Sequence, residues 1–233
     1  MTGGDDDAPA DEGGAGDADT AVARRFGVDE AGKGPVLGSM FAAAVVGTPA
    51  EIPDGVADSK RLSPERRNEL DARVRETCEV AVAEIPVARI DDPETDMNAL
   101  TVEAQASALD SVAADGLRGY VDAGDVDEQR FGRRVAEGVA ADVDVTAEHG
   151  ADDEYAVVAA ASIVAKVARD SHVADLAAEY GDVGSGYPSD PATREFLDAY
   201  VADHGTLPEC ARASWQTSQD ALAAAEQSGL DDF

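Results

Sequence analysis

The chain has 233 residues, 44% of them hydrophobic, which is enough to bury one substantial core and does not require a second folded domain. Its 49 Asp and Glu residues outnumber its 18 Lys and Arg residues, so the formal net charge is −31. The acids are spread along the chain, a pattern typical of adaptation to concentrated salt rather than of an acidic interaction tail. Such a charge argues against nucleic-acid binding by overall attraction. At molar salt the Debye length falls to about 3 Å, so local contacts would have to supply the affinity.

The two cysteines and the hydropathy pattern exclude several other classes of protein. Cys78 and Cys210 lack C-x-x-C spacing and a nearby His cluster, which argues against a zinc site or a disulfide framework. The chain does not open with a basic segment followed by an apolar one, and no apolar run approaches the roughly 18 residues of a membrane helix. We therefore expect a cytoplasmic protein with no membrane association. We also expect a monomer.

The first elements in chain order are a tail, two strands and a helix. Residues 1–22 are rich in Gly, Asp and Ala, which predicts a disordered acidic tail. Folded sequence is expected to begin near Phe26, where an apolar run leads into two acids, a Gly-Lys-Gly-Pro turn and a second apolar strand. Ser63 as N-cap before Pro64 predicts a helix that runs to about Thr77.

The remaining elements alternate between strands and helices. A third strand is predicted in CEVAVAEIPVARI, a second helix in MNALTVEAQASALDSVAAD, and short strands in GYVDAG and DVDVTAE. The segment from Val157 to about Tyr180 reads as a helix buried against a sheet, and a last helix is expected near Ala192 to Asp203. This order predicts an α/β domain with a mixed sheet.

Four carboxylates stand at the ends of apolar elements. Asp29 and Glu30 end the first strand, Asp122 ends a later one, and Asp152 precedes the long apolar helix. A carboxylate at such a position is costly unless it is paired or binds a metal. Convergence of the four would make a site for Mg²⁺ or Mn²⁺, which prefer oxygen ligands. The alternatives are a turn-capping role for the first pair and helix capping for Asp152.

The turn formed by Gly32, Lys33 and Gly34 follows the first two acids. Glycines there leave backbone N–H groups open to close approach by a ligand, with the lysine as a cation for phosphate. A tight turn of structural origin would use glycine equally well.

Six segments in the same order resemble the ribonuclease HII family and cover roughly residues 26 to 222. They are GVDEAGKGPVLGSM at 27–40, ADSK at 57–60, YVDAGD at 120–125, ADDEYAVVAAASIVAKVARD at 151–170, GSGYPSDP at 184–191 and SWQT at 214–217. The last two favour the archaeal and eukaryotic branch of that family. The resemblance implies a ribonuclease H-like fold, with a five-stranded mixed sheet flanked by helices and a helical C-terminal region.

The resemblance also implies a reaction. Carried onto this chain, the metal-binding catalytic acids are Asp29, Glu30, Asp122 and Asp152, and they would use two Mg²⁺ or Mn²⁺ ions. The expected substrates are the RNA strand of RNA–DNA hybrids and duplex DNA with embedded ribonucleotides, cut 5′ of the ribonucleotide to leave 5′-phosphate and 3′-hydroxyl ends. A catalytically inactive relative that binds nucleic acid and is tethered to a clamp is the alternative, although such a protein would be expected to lack one of the acids.

Substrate contacts follow from the same resemblance. Gly32, Lys33 and Gly34 resemble the loop that reads the 2′-hydroxyl of the ribonucleotide. Tyr187 resembles the tyrosine that stacks on a sugar at the RNA–DNA junction, and Lys60 resembles a phosphate contact. The chain departs from the family pattern at Lys33, where Arg is usual and Lys is more typical of the sister class ribonuclease HIII. It departs again at residue 150, a Gly where Lys is frequent. The sister class carries a folded N-terminal domain, which an acidic tail does not provide.

The C-terminal end carries a separate motif. Gln227, Leu230 and Phe233 have the spacing of peptides that dock on the sliding clamp. We therefore expect three parts: the tail at 1–22, the catalytic domain with its helical region at 23–222, and a clamp-binding tail at 223–233.

Overall fold

The computed structural model describes residues 23–57 and 62–231, with side chains as far as residue 227. A five-stranded mixed sheet forms the centre of this part of the chain, in the order β3-β2-β1-β4-β5. β1 pairs antiparallel with β2 and parallel with β4, and β3 and β5 complete the two edges. The predicted mixed sheet is confirmed. The strands are β1 Arg25–Ala31, β2 Met40–Gly47, β3 Glu79–Ile85, β4 Arg118–Asp122 and β5 Asp144–Glu148.

Helices cover both faces of the sheet. They are α1 Pro64–Thr77, α2 Val87–Ile90, α3 Met97–Asp110, α4 Glu128–Glu137, α5 Ala151–Glu154, α6 Ala156–Tyr180, α7 Pro191–His204 and α8 Gln216–Asp231. The predicted start of α1 is confirmed, because the Ser63 hydroxyl accepts a hydrogen bond from the Arg66 N–H at 3.3 Å.

Three elements differ from expectation. The third strand ends at Ile85, and Pro86, which lacks an N–H for strand pairing, is the N-cap of the short helix α2. Helix α4 was not predicted, although Asp127 caps its start and Phe131 and Val135 are buried at helical spacing. Helix α8 follows the helix expected to be last, and it continues across the boundary predicted between residues 222 and 223. The predicted tail at 1–22 lies outside the described residues.

Strand β1 alternates between the two faces of the sheet. Phe26 and Val28 belong to the core cluster that includes residues of α3 and α4. Gly27 and Asp29 point to the opposite face, which is covered by α6. A Cβ on Gly27 would lie 2.4 Å from the Val157 carbonyl carbon, so only glycine permits this approach of helix and sheet. The first acid of the strand is thereby brought against α6.

A separate apolar cluster packs the C-terminal region against the segment after β1. Val36 and Leu37 pack there with Leu176, Val183 and Leu197. The C-terminal helices are therefore in direct contact with the segment that follows the glycine-lysine-glycine turn. Within the described part of the chain, no helix has both the length and the apolar character needed to cross a membrane.

We expect Gly27→Ala to destabilise the fold by about 1–3 kcal/mol, the usual cost of adding a methyl group to a filled core. The free energy of unfolding should be measured by denaturant titration at high KCl. Gly34→Ala is the matched control, because its Cβ would meet nothing closer than the Tyr187 Cε1 at 3.7 Å. Equal losses in the two variants would contradict the proposed packing.

Candidate active site

Two acids at the end of β1 face opposite sides of the sheet. Asp29 is 5% exposed and is hydrogen-bonded by the Ser162 side chain of α6. Glu30 turns toward α3, where the Gln105 Nε2 donates to its Oε2 at 2.6 Å. The same Nε2 donates to the main-chain carbonyl of Asp122 at 2.9 Å. Gln105 therefore joins the ends of the neighbouring parallel strands β1 and β4.

Burial and like charge raise the pKa values of both β1 acids. The pKa of Asp29 lies well above its ordinary value because the carboxyl group is buried and because Glu30 and Asp122 are negative neighbours. Burial also raises the pKa of Glu30 to about 6, against the opposing effects of the Gln105 hydrogen bond and the Lys33 charge. Asp122 raises the pKa of each, which shows that the three carboxylates lie within electrostatic range of one another.

The fourth predicted acid lies next to the third. The Asp122 Oδ1 accepts a hydrogen bond from the Ala151 N–H at 2.9 Å, which holds the first residue of α5 against the end of β4. Asp152, the following residue, is 6% exposed. The structure thus brings the elements that carry all four acids to the end of the sheet where β1 and β4 finish. Among residues 23–57 and 62–231, however, no three His, Cys, Asp or Glu side chains form a group ready to hold a metal ion.

The chemistry of these side chains fits a hard divalent cation. The donors are all carboxylate oxygens, which Mg²⁺ and Mn²⁺ prefer over nitrogen or sulfur. Buried carboxylates that raise one another's pKa values repel when they are ionised, and a cation between them would remove that cost. Asp29, Glu30 and Asp122 therefore have the chemistry needed to hold such an ion.

The glycine-lysine-glycine turn borders a cleft of about 300 Å³ beside these acids, which is also lined by Glu30, Lys166, Arg169 and Tyr187. Gly32 has φ +93°, and a Cβ there would lie 3.0 Å from the Ser39 carbonyl oxygen, so the position requires glycine. The Lys33 ammonium donates to the Gly124 carbonyl at 2.8 Å. The cation expected to contact phosphate therefore also ties the turn to the loop after β4.

Tyr187 lines the cleft next to the turn, since a Cβ on Gly34 would lie 3.7 Å from its Cε1. Its side chain is 42% exposed, and the Arg169 guanidinium carbon lies 5.5 Å from its ring centroid. The preceding residue, Gly186, accepts hydrogen bonds from the N–H groups of Val36 and Leu37 at 2.8 and 3.2 Å. Two segments that are about 150 residues apart in the sequence are thereby joined at one cleft.

Most of the other predicted site residues lie outside the part of the chain that the structure describes. Lys60 lies outside the described residues. Gln227 is exposed near the end of α8, the Leu230 side chain is not among those described, and Phe233 lies beyond the described chain.

Several polar side chains of the site were not predicted from the sequence. The Ser162 hydroxyl, hydrogen-bonded to Asp29, accepts from the Lys166 Nζ at 2.5 Å, one turn further along α6. Gln105 is fully buried on α3. In each case a polar residue interrupts the buried side of an apolar helix, and that interruption is the signal that could have identified it.

Comparison with known proteins identifies the family of the chain. A family model described as ribonuclease HII matches residues 26–218. The chain belongs to the ribonuclease HII family. The resemblance, the ribonuclease H-like fold and the assignment as a ribonuclease H, a hydrolase, are confirmed.

Three relatives of this ribonuclease are informative. Ribonuclease HII of Halobacterium salinarum strain R1 is 78% identical over 210 residues, which cover 90% of this chain and 99% of the relative. The crystal structure of ribonuclease H2 from Pyrococcus horikoshii OT3 is 37% identical with a TM-score of 0.82, covering 88% of this chain and 100% of that one. The ribonuclease HII from Archaeoglobus fulgidus, solved in complex with PCNA, is 37% identical with a TM-score of 0.76, covering 83% and 96%.

We expect Gln105→Met to weaken Mn²⁺ binding by the ribonuclease by about tenfold or more, the usual effect of removing a group that orients a metal ligand. Methionine keeps the volume of the side chain but removes the N–H groups that hold Glu30 and the end of β4. Binding should be measured by calorimetric titration of the full chain at high KCl.

Thr101→Val is the matched control, since it removes a hydroxyl one turn earlier on α3 that donates only to the Met97 carbonyl. If the two variants bind Mn²⁺ as the unaltered chain does, Gln105 has no part in the site.

Proposed function

We propose that this ribonuclease HII cuts the RNA strand of RNA–DNA hybrids and cuts 5′ of ribonucleotides embedded in duplex DNA, leaving 5′-phosphate and 3′-hydroxyl ends. The observation that carries the proposal is the position of Glu30, the Gly32–Gly34 turn and Tyr187 along one cleft, with Asp29 and Asp122 within electrostatic range of Glu30. The proposed site of hydrolysis thus lies beside groups able to recognise a sugar.

A cytoplasmic location remains a prediction from the sequence.

The four acids Asp29, Glu30, Asp122 and Asp152 are the proposed metal-binding and catalytic residues. Two Mg²⁺ or Mn²⁺ ions held there would activate the attacking water and stabilise charge on the leaving 3′-oxygen. The Ser162 and Gln105 side chains orient the first two carboxylates. Because these carboxylates are buried, their position does not depend on mobile surface groups.

The cleft residues are proposed to hold the substrate. Backbone N–H groups of the Gly32–Gly34 turn contact the ribonucleotide 2′-hydroxyl, which separates RNA from DNA. The exposed Tyr187 ring stacks on the sugar at the junction, and Lys166 and Arg169 supply positive charge for the phosphates. These local cations answer the objection raised by a net charge of −31, since concentrated salt screens the distant acidic surface.

We expect Asp29→Asn to reduce cleavage of a duplex with a single ribonucleotide by more than about a hundredfold, because changes to groups that merely orient a ligand already cost 10–100-fold. The rate should be measured with Mn²⁺ at high KCl. The exposed Asp198 of α7 supplies the control, as Asp198→Asn removes the same charge from a residue that does not line the cleft.

Failure of the unaltered chain to cleave, with binding retained, would favour the alternative of an inactive, clamp-tethered relative. Equal rates for Asp29→Asn and the unaltered chain would remove this acid from the reaction.

We also propose that residues Gln227, Leu230 and Phe233 bind the sliding clamp. The Archaeoglobus fulgidus ribonuclease HII has been solved in complex with PCNA, which supports the proposal. Gln227 is exposed at the end of α8, where a partner can reach it.

Truncation after Ser228 removes two large apolar side chains, and burial of each is worth about 1.5–3 kcal/mol. We therefore expect clamp affinity, measured by surface plasmon resonance with the sliding clamp of the same organism, to fall at least about a hundredfold. Gln219→Ala, on the exposed side of the same helix, is the control. Unchanged affinity of the truncated chain would exclude the motif as the binding segment.

A further inference from the structure

A fully buried arginine binds the back of the Gly32–Gly34 turn. The Arg212 Nη2 donates to the Gly32 carbonyl at 2.6 Å, its Nη1 to the Lys33 carbonyl at 3.1 Å, and its Nε to the Gly38 carbonyl at 2.8 Å. Arg212 has no exposed surface. All of these acceptors belong to the short segment that follows β1.

Trp215 also binds the Gly32–Gly34 turn. Its indole Nε1 donates to the Gly34 carbonyl at 3.3 Å, and its ring lies 4.9 Å from the Arg212 guanidinium carbon. The Arg212 main-chain N–H donates to the Val36 carbonyl at 2.8 Å. Each carbonyl of the Gly32–Gly34 turn is therefore hydrogen-bonded by the segment at residues 212–215.

These contacts fix the direction of the N–H groups of the turn. In a planar trans peptide the carbonyl and the following N–H point in opposite directions. Because the Gly32 and Lys33 carbonyls point to Arg212, the N–H groups of Lys33 and Gly34 point away from it. The cleft is lined by the turn but not by Arg212 or Trp215, an arrangement that is consistent with these N–H groups facing the cleft.

The segment is itself held by a carboxylate. The Asp91 side chain accepts hydrogen bonds from the N–H groups of Ala213 and Ser214 at 2.7 and 2.9 Å, and from the Ser214 hydroxyl at 2.6 Å. Burial lowers the pKa of Arg212 to about 10, so the guanidinium stays charged at neutral pH. A buried cation that bonds three neutral carbonyls is a costly way to pack a turn, which favours a role in the site.

We propose that Arg212 and Trp215 are positioning residues that set the discrimination between ribonucleotide and deoxyribonucleotide. They do so by holding the Gly32–Gly34 turn with its N–H groups toward the sugar. This inference rests on the proposed function, in which the turn contacts the 2′-hydroxyl. Neither residue touches the substrate.

The test compares two constants for the full chain with Mn²⁺ at high KCl. One is the KM for a duplex with a single ribonucleotide, and the other is the Ki of the same duplex made wholly of DNA, used as a competitor. Arg212→Lys keeps the charge but loses the planar fork, and Trp215→Phe keeps a ring but loses the N–H. Arg194→Lys, on the exposed side of α7, is the control.

We expect the ratio of Ki to KM to fall about tenfold or more in Arg212→Lys, which loses several hydrogen bonds, and about two- to fivefold in Trp215→Phe, which loses one. The Ki for DNA should stay within about twofold of its original value in both, because the turn is proposed to read only the 2′-hydroxyl. The control should change neither constant. If Arg212→Lys does not fold, the ratio measured for Trp215→Phe alone tests the proposal.

An unchanged ratio in Trp215→Phe, or a parallel rise of KM and Ki, would overturn the proposal and leave a purely structural role. If the unaltered chain itself shows no preference for the ribonucleotide duplex, the proposed function of the turn fails as well. The two failures are therefore distinguishable.

Discussion

The crowding of buried and partly buried carboxylates at the ends of two adjacent parallel strands is the constraint on which the rest of the site depends. Asp29 and Glu30 lie at the end of β1 and Asp122 ends β4, and burial together with the neighbouring negative charges raises the pKa values of the β1 pair. Such groups remain in a folded core only where nearby donors or cations compensate for lost hydration. The polar residues of α3 and α6 that reach these acids supply part of that compensation, and a divalent cation would supply the rest.

The fold provides this arrangement by its topology. The parallel pairing of β1 with β4 places the two strand ends side by side, and the alternation of β1 directs one acid to each face of the sheet. The glycine at position 27 lets α6 approach closely enough for Ser162 to meet Asp29. In the C-terminal region, Arg212 and Trp215 donate hydrogen bonds to the carbonyl groups of the turn after β1. The proposed metal site, the proposed sugar-binding turn and the C-terminal packing are thus connected through one short segment of chain.

Local sequence predicted the elements whose signals are local. An apolar run that ends in two acids marked β1 and its carboxylates, and Ser63 before Pro64 marked the start of α1. Contacts made over long separations could not be predicted in this way. Gln105 is 75 residues from Glu30. Arg212 lies 174 to 180 residues from the carbonyls that it binds, and no local pattern around it indicates those partners.

The position of the divalent cation is the central claim, and anomalous X-ray diffraction from crystals soaked in Mn²⁺ at high KCl tests it most directly. The account predicts an anomalous peak within about 2.5 Å of carboxylate oxygens of Asp29 and at least one of Glu30 and Asp122. Peaks confined to surface acids, with none at the end of β1, would contradict it.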